Sequence, residues 1–339
     1  MKIAQVCRYY PPHQGGVEIF VQNLSQFLAG KGNNVHVFTT NEPKGKNYQT
    51  VKKINVHRYA YKKRFNEPIY DFAGDLKKFK PDVVHCHYPN PHGYSIAYRY
   101  SQKENVPLIV TYHARASSSW LISFLSKIFD KLHFYRTVKN ANKLVYSHGD
   151  IGPKLKNSIV IPTGVDTKKF KKQKVMKDID VIWGAGRLTK LKRIGWILRA
   201  VAKIDRNIIV FIVGPGPEMQ NLRKLTIELK LKNVKFLGAT PNEKMPRYYS
   251  RSRLMVLPSK SEGMPISVLE ALACQTPVLA SDVGGLSDVI AKEMLFDVNN
   301  YKEFKNKLAQ SLKKPPKVKL PARFSQESVF NEYLKIYQK

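Results

Sequence analysis

The stretch LMVLPSKSEGMPISVLEALACQTPVLA, Leu254–Ala280, decides the reading of the chain. It opens on an apolar run, Leu254–Leu257, and crosses a polar loop containing Pro258 and Gly263. Helical spacing follows from about Pro265 to Cys274, and a second apolar run, Pro277–Ala280, closes it. Two apolar strands joined through a helix form the unit of a parallel sheet, because parallel strands need a long crossover. Proline suits the first helical position, where a missing N–H would have no partner in any case.

The alternation extends outward in both directions. Upstream, Ile179–Ala185, Ile208–Val213 and Val234–Leu237 read as strands, with helices over Gly195–Ile204, Glu218–Leu231 and Glu243–Ser250. The first half carries its own series of strands at Ile3–Cys7, Val35–Thr40, Val83–His87, Leu108–Tyr112 and Lys143–Ser147. Helices at Val17–Lys31, Asp71–Lys80, Pro91–Lys103 and Trp120–Lys139 lie between them. Ile161–Asp178, polar and lysine-rich with Pro162 and Gly164, reads as a linker. The expected fold is α/β: two Rossmann-like, doubly wound parallel-sheet domains, residues 1–165 and 176–320, facing a cleft. Lys313–Pro321 contains three prolines and is not helix. An amphipathic helix over 325–339, with Val329, Phe330, Tyr333, Leu334 and Tyr337 as its stripe, is expected to pack back on the first domain.

Composition sets the outer limits. With 43% hydrophobic and 24% charged residues the chain excludes collagen, low-complexity disorder and a disulfide-stapled miniprotein. The formal charge is +33, which calls for an anionic partner: nucleic acid, an acidic membrane surface or phosphorylated substrates. Both halves carry the excess, so it is partly background. Cys7, Cys86 and Cys274 show no C-x-x-C spacing, as in a reducing compartment. Arg8 interrupts the N-terminal apolar run, against a signal peptide, and no apolar stretch reaches membrane-spanning length. The expected location is cytoplasmic, with peripheral attachment to the inner membrane face as an option. Trp120–Tyr135 reads as a cationic amphipathic helix that suits either a core or an anionic membrane interface.

Three constellations carry chemistry. Glu262 on the loop and Glu270 inside the following helix are separated by seven residues. A loop carboxylate at a helix N-terminus with a second one below suits a polyhydroxylated nucleotide ligand; the bland alternative is a solvated pair. Arg187 and Lys192 follow the strand ending at Ala185 in GAGRLTKLKR and can grip a diphosphate, or form a solvated basic loop. Gly15 and Gly16 open the first helix after RYYPPHQGG, where close backbone approach and free N–H groups favour an anion; taken alone, a Gly-Gly pair more often marks a plain turn. All nine histidines fall at or before His148. His85 and His87 point to one face of a strand, and a metal there would need a third ligand such as His113. His113 itself ends the strand PLIVTYH, as a site residue or a satisfied buried histidine.

Together these residues resemble the GT-B glycosyltransferases of family 4, also called glycosyl transferases group 1. The landmarks run in order along nearly the whole chain: GGVE (Gly15–Glu18), DVVHCH (Asp82–His87), PLIVTYH (Pro107–His113), IPTGVD (Ile161–Asp166), GRLTKLK (Gly186–Lys192), VGPGPE (Val213–Glu218), VKFLG (Val234–Gly238) and Ser261–Gly285. The resemblance implies Gly16 against the donor diphosphate, Arg187 and Lys192 on its phosphates, Glu262 facing the donor sugar, Glu270 on the ribose hydroxyls and His113 contacting the sugar. It does not place Lys190 or Arg193 on the phosphates. It further implies retention of configuration, no metal and no cofactor beyond the nucleotide-diphosphate sugar. Two departures matter: Gln275 stands where the family usually has Gly, which concerns a turn and stability more than activity, and Met264-Pro265 replaces the commoner Phe-Gly, which removes one potential N–H donor to phosphate or sugar.

The expected function is therefore a retaining, metal-independent hexosyltransferase of glycan biosynthesis. It moves a sugar from a UDP- or GDP-sugar to a hydroxyl of a glycan or lipid-linked glycan, with an anionic membrane surface as a further partner. A nucleotide-sugar epimerase on the same scaffold is one alternative. A basic nucleic-acid-binding protein is another, against which no recognised nucleic-acid motif appears.

Overall fold

The computed structural model describes residues 1–13, 15–64, 67–113, 138, 140–148 and 155–338. The chain forms two compact units. One comprises Met1–Ile161 together with Phe330–Lys339, the other Pro162–Val329.

The first unit is built on β1 (Lys2–Val6), α1 (Gly16–Gly30), β2 (Asn34–Thr40), a hairpin of β3 (Tyr48–Val51) and β4 (Ile54–Tyr59), and a small ribbon of β5 (Lys62–Arg64) and β6 (Glu67–Ile69). Then come α2 (Ala73–Phe79), β7 (Val83–Tyr88), α3 (Pro91–Glu104), β8 (Leu108–Tyr112), β9 (Lys143–Tyr146) and β10 (Ser158–Val160). The eight-stranded sheet has the order β10-β9-β8-β7-β1-β2-β4-β3, parallel except for β3. The chain winds from β1 out to β4, then returns to β7 on the opposite side of β1. That reversal leaves a crevice at the C-terminal ends of β1 and β7, where doubly wound sheets bind ligands. The inner strands are buried on both faces, as parallel strands are, and all of β8 is buried. Gln5, His85 and His87 are the polar exceptions on the two central strands.

The second unit repeats the plan with β11 (Ile179–Trp183), α4 (Ile194–Ile204), β12 (Val210–Val213), α5 (Met219–Glu228), β13 (Val234–Gly238) and α6 (Met245–Arg251). It continues with β14 (Ser252–Leu257), α7 (Ile266–Ala273), β15 (Val278–Ser281), β16 (Leu295–Phe296) and α8 (Tyr301–Lys313). Its six strands are ordered β13-β12-β11-β14-β15-β16 and are all parallel. Here the reversal falls between β11 and β14. The loops bearing Arg187, Lys192 and Glu262 leave these two strands.

The last helix, α9 (Gln326–Tyr337), starts in the second unit, where Gln326 N–H donates to the Val165 carbonyl at 2.8 Å. From Phe330 onward it belongs to the first. Phe330 packs against Phe20 and Phe27, with ring centroids 5.7 and 5.5 Å apart, and Tyr333 and Tyr337 are buried. The three cysteines are buried and unpaired. The expected Trp120–Tyr135 amphipathic helix lies outside the described residues. No helix among the described residues is long and apolar enough to cross a membrane.

Candidate active site

In the second unit two loops meet at the reversal. After β11 the chain passes Gly184-Ala185-Gly186 into Arg187 and a short 3-10 turn over Lys190–Lys192. After β14 it runs from Pro258 to Pro265 into α7. Lys260 N–H donates to the Leu191 carbonyl at 2.7 Å and ties the loops together. Lys192 Nζ then reaches both carboxylate oxygens of Glu262, at 2.6 and 2.8 Å. The Glu262 side chain is only 8% exposed and that of Lys192 25%, so the pair is shielded from water. Arg187 is exposed and makes no hydrogen bond or ion pair to a described residue. One cation of the expected phosphate grip is therefore held by a carboxylate, and the other is open. Arg193, the residue directly after that turn, is committed to the fold: it donates to the Val298 carbonyl and lies over the Trp196 ring, 4.8 Å from its centroid.

Two glycines outside these loops hold them in place. Gly284 has φ +59, and a Cβ there would come within 2.3 Å of the Glu262 carbonyl and 2.6 Å of that of Gly263. Gly285 N–H donates to the same Gly263 carbonyl at 3.0 Å. Gly214 has φ +129, and its Cβ would fall 1.9 Å from the Gly186 carbonyl. Only glycine combines such dihedrals with such an approach. These contacts give the VGPGPE and SDVGG segments their role as backing for the Arg187 and Glu262 loops.

Glu270 sits in α7, 5% exposed. Tyr249 Oη–H donates to Oε2 at 3.1 Å and Asn242 Nδ2–H to Oε1 at 3.3 Å. Burial pushes its carboxyl above the ordinary carboxylate range despite these two donors. Glu262 and Glu270 are thus not a solvated pair, because each is withdrawn from water with a polar partner of its own. Pro265 differs slightly from expectation. It is the extended residue capping α7 (φ −70, ψ 122) and not part of its first turn.

The first unit holds the remaining expected residues. Gly16 is the first residue of α1, and a Cβ there would meet nothing within 4 Å. Glu18 folds back over Gly15, where an added Cβ would lie 2.1 Å from Glu18 Oε2. Glu18 Oε1 is 3.3 Å from His13 Nδ1. A carboxylate in the first turn of α1 is favoured by the helix dipole, and it places negative charge where an anionic ligand was expected. His113 follows β8. Its backbone N–H donates to the Tyr88 carbonyl at 3.2 Å, and its Nε2 is 3.0 Å from His87 Nδ1. Burial lowers its imidazolium to a pKa of about 4, so the ring is neutral. His85 and His87 do not look outward as a ligand pair. All four of their ring nitrogens are hydrogen-bonded, to Tyr337, Thr111, Gln5 and His113.

Several members of these assemblies carry no sequence signal. Gln5 lies alone in an apolar strand, Tyr249 and Asn242 lie far from Glu270 in the chain, and Tyr337 reads as part of a core stripe. A polar residue inside an otherwise apolar central strand is the one cue that could have singled out Gln5.

Comparison with known proteins identifies the family to which the chain is similar. Residues 165–328 match the family described as glycosyl transferases group 1, and residues 14–169 match glycosyltransferase family 4. An uncharacterized glycosyltransferase of Methanocaldococcus jannaschii is 24% identical over 326 residues, covering 91% of this chain and 88% of its own. Among solved structures, sucrose-phosphate synthase of Thermosynechococcus elongatus superposes with a TM-score of 0.80 at 21% identity, covering 99% of this chain and 98% of that one. HepE of Anabaena, in complex with UDP-glucose, superposes at 0.75 with 15% identity, covering 100% and 99%.

Proposed function

The chain belongs to the family 4 glycosyltransferases and has their GT-B fold of two Rossmann-like domains; from that premise we propose that it is a retaining, metal-independent hexosyltransferase. It transfers a sugar from a UDP- or GDP-sugar to a hydroxyl of a glycan or lipid-linked glycan. The observation that carries this reading is the shielded Lys192–Glu262 pair at the reversal of the second sheet, with Arg187 open on the same loop.

The chemistry follows from these charges. As the bond between the anomeric carbon and the diphosphate oxygen breaks, negative charge collects on the leaving diphosphate. Arg187 and Lys192 stabilise that charge more than the ground state, which lowers the barrier. Two cations on one loop, Lys192 held and Arg187 open, can supply what a divalent ion would otherwise give, which supports the metal-independent reading. A diphosphate at Lys192 shares or displaces Glu262, and the freed carboxylate then hydrogen-bonds the donor sugar. Glu270, aimed by Tyr249 and Asn242, accepts from the ribose hydroxyls. Gly16 lets the diphosphate approach the backbone, and His113 contacts the sugar. The acceptor hydroxyl attacks on the face the diphosphate leaves, its proton departing with the leaving group, and configuration is retained.

The +33 charge supports work beside an anionic membrane, where each basic residue near the surface contributes about 1 kcal/mol. The test of the function is UDP or GDP release from a panel of nucleotide sugars with glycan and lipid-linked acceptors, with and without EDTA. The product anomer is read by NMR. Inverted product, or turnover that vanishes with EDTA, overturns the corresponding part of the reading.

A further inference from the structure

Beneath His113 lies a single chain of hydrogen bonds that reaches the terminal helix. His113 Nε2 meets His87 Nδ1 at 3.0 Å, and His87 Nε2 meets Gln5 Oε1 at 2.7 Å. Gln5 Nε2–H donates to Tyr337 Oη at 3.3 Å, and Tyr337 Oη lies 2.6 Å from His85 Nδ1. His85 Nε2 then meets Thr111 Oγ1 at 2.7 Å, which is 3.1 Å from Tyr333 Oη. Apart from His113 at its outer end, every residue in the chain is buried.

The direction of donation is set by Gln5, whose amide offers one acceptor and one donor side. Its Oε1 can only accept, so His87 carries its proton on Nε2. A neutral His87 then has a bare Nδ1, which accepts from His113 Nε2–H. On the far side Gln5 Nε2–H occupies the Tyr337 oxygen as acceptor, leaving the Tyr337 hydroxyl proton for His85 Nδ1. His85 therefore donates from Nε2 to Thr111. From His113 through His87, Gln5, Tyr337 and His85 to Thr111, each bond donates inward. Burial holds all three imidazoles neutral, so no extra proton disturbs this order.

We propose that Gln5, His87 and Tyr337 are positioning residues that fix His113 as its Nε2–H tautomer, presenting the bare Nδ1 as an acceptor for a sugar hydroxyl. The tautomer part stands on the hydrogen-bond chain alone; the hydroxyl part rests on the proposed function. His113 Nδ1 has no partner among the described residues, and only an acceptor there discriminates in favour of a donating ligand group. The terminal helix thus sets the polarity of a group that it does not itself present.

The experiment records the ring-nitrogen shifts of the full chain labelled with 15N-histidine, with His113→Gln used for assignment. The expected spectrum has His113 neutral, protonated on Nε2 and bare on Nδ1. A Nδ1–H tautomer in the parent protein, with the amide of Gln5 turned over and the chain running outward, overturns the proposal, the His113→Gln variant serving for assignment alone. Tyr337→Phe removes the group that orients the amide. It is expected to give His113 as a mixture of tautomers and to weaken UDP-glucose or GDP-mannose binding about tenfold, with UDP and GDP binding unchanged, the size of one lost hydrogen bond. An unchanged single tautomer in Tyr337→Phe overturns the lock. Altered tautomers with unchanged affinity for the sugar nucleotides overturn the hydroxyl contact. Failure of every sugar nucleotide to bind the parent, with the expected tautomer present, counts against the proposed function and not against the lock.

Discussion

Lys192 Nζ lies 2.6 Å from Glu262 Oε1 and 2.8 Å from Oε2, so the cation expected on the donor phosphate and the carboxylate expected on the donor sugar neutralise one another. The two are seventy positions apart and meet because β11 and β14 are neighbours at the reversal of the sheet. Removing one partner of a shielded pair strands the other, which costs more than the pair contributes.

Lys192→Ala is therefore expected to do two things. Turnover falls roughly 10²–10³-fold through loss of transition-state stabilisation. Stability also falls, by about 1–3 kcal/mol, because the Glu262 carboxylate is left without its donor. Lys192→Ala combined with Glu262→Gln should recover the melting temperature and not the turnover. A melting temperature unchanged in the single variant would show that water replaces Lys192 without loss.

Arg187→Ala separates chemistry from folding. Arg187 is exposed and spends nothing on internal contacts, so a comparable fall of roughly 10²–10³ in kcat should come with unaltered melting. Lys190, also exposed, is the control and should be near normal. Arg193→Ala should lower stability instead, by loss of its bond to Val298 and its contact with Trp196. Normal turnover in Arg187→Ala would remove that residue from the phosphates.

Glu270→Gln should trade binding for stability. The native carboxyl titrates above its unfolded value of 4.5, so the unfolded chain releases this proton first and stability declines as pH rises through that window. The uncharged variant escapes the decline. It should melt higher than the parent at pH 7 and equally near pH 3, where both carry a neutral side chain. Donor affinity should weaken about tenfold, since a charged acceptor for ribose is lost. Equal melting at both pH values would contradict the burial argument.

Glu18 places a carboxylate over Gly15 at the start of α1. If Gly16 meets the donor diphosphate, that charge opposes it by roughly 1 kcal/mol after screening. Calorimetric titration of Glu18→Gln with UDP and GDP should then give several-fold tighter binding that converges on the parent value at high salt. Unchanged affinity at low salt would detach this loop from the phosphate.

Gln275 occupies φ +58 just beyond α7. Gln275 N–H donates to the Leu272 carbonyl at 3.0 Å and Thr276 N–H to that of Ala271 at 2.9 Å, the paired closure that favours glycine at this position. Gln275→Gly relieves about 1–2 kcal/mol of left-handed strain and gives back about 0.5–1 through chain entropy. The net gain is about 0.5–1 kcal/mol, or roughly 1–4 °C in a thermal melt, with turnover unaffected. A lower melting temperature would mean that the glutamine side chain contributes more than its backbone strain removes.

The sequence by itself determined the α/β class, most of the parallel strands and the candidate donor residues. Apolar runs and helical spacing are local properties, and Glu262, Glu270, Arg187 and Lys192 stand in segments whose order is diagnostic. The β3–β4 hairpin was not legible. Its turn residues, Lys52 and Lys53, both adopt positive φ (49 and 65), where Asn-Gly would have signalled it. Helix α8 was also not singled out, although Phe304, Leu308 and Leu312 form its buried side. Only tertiary structure decided that Lys192 is spent on Glu262, that Glu18 covers Gly15, and that Gln5 and Tyr337 reach His113 through His87. Pairing of polar groups depends on which strands become neighbours and which side chains lose water, and chain spacing encodes neither. A lysine or a glutamine reads alike in any loop or strand until the packing around it determines which single partner is within 3 Å.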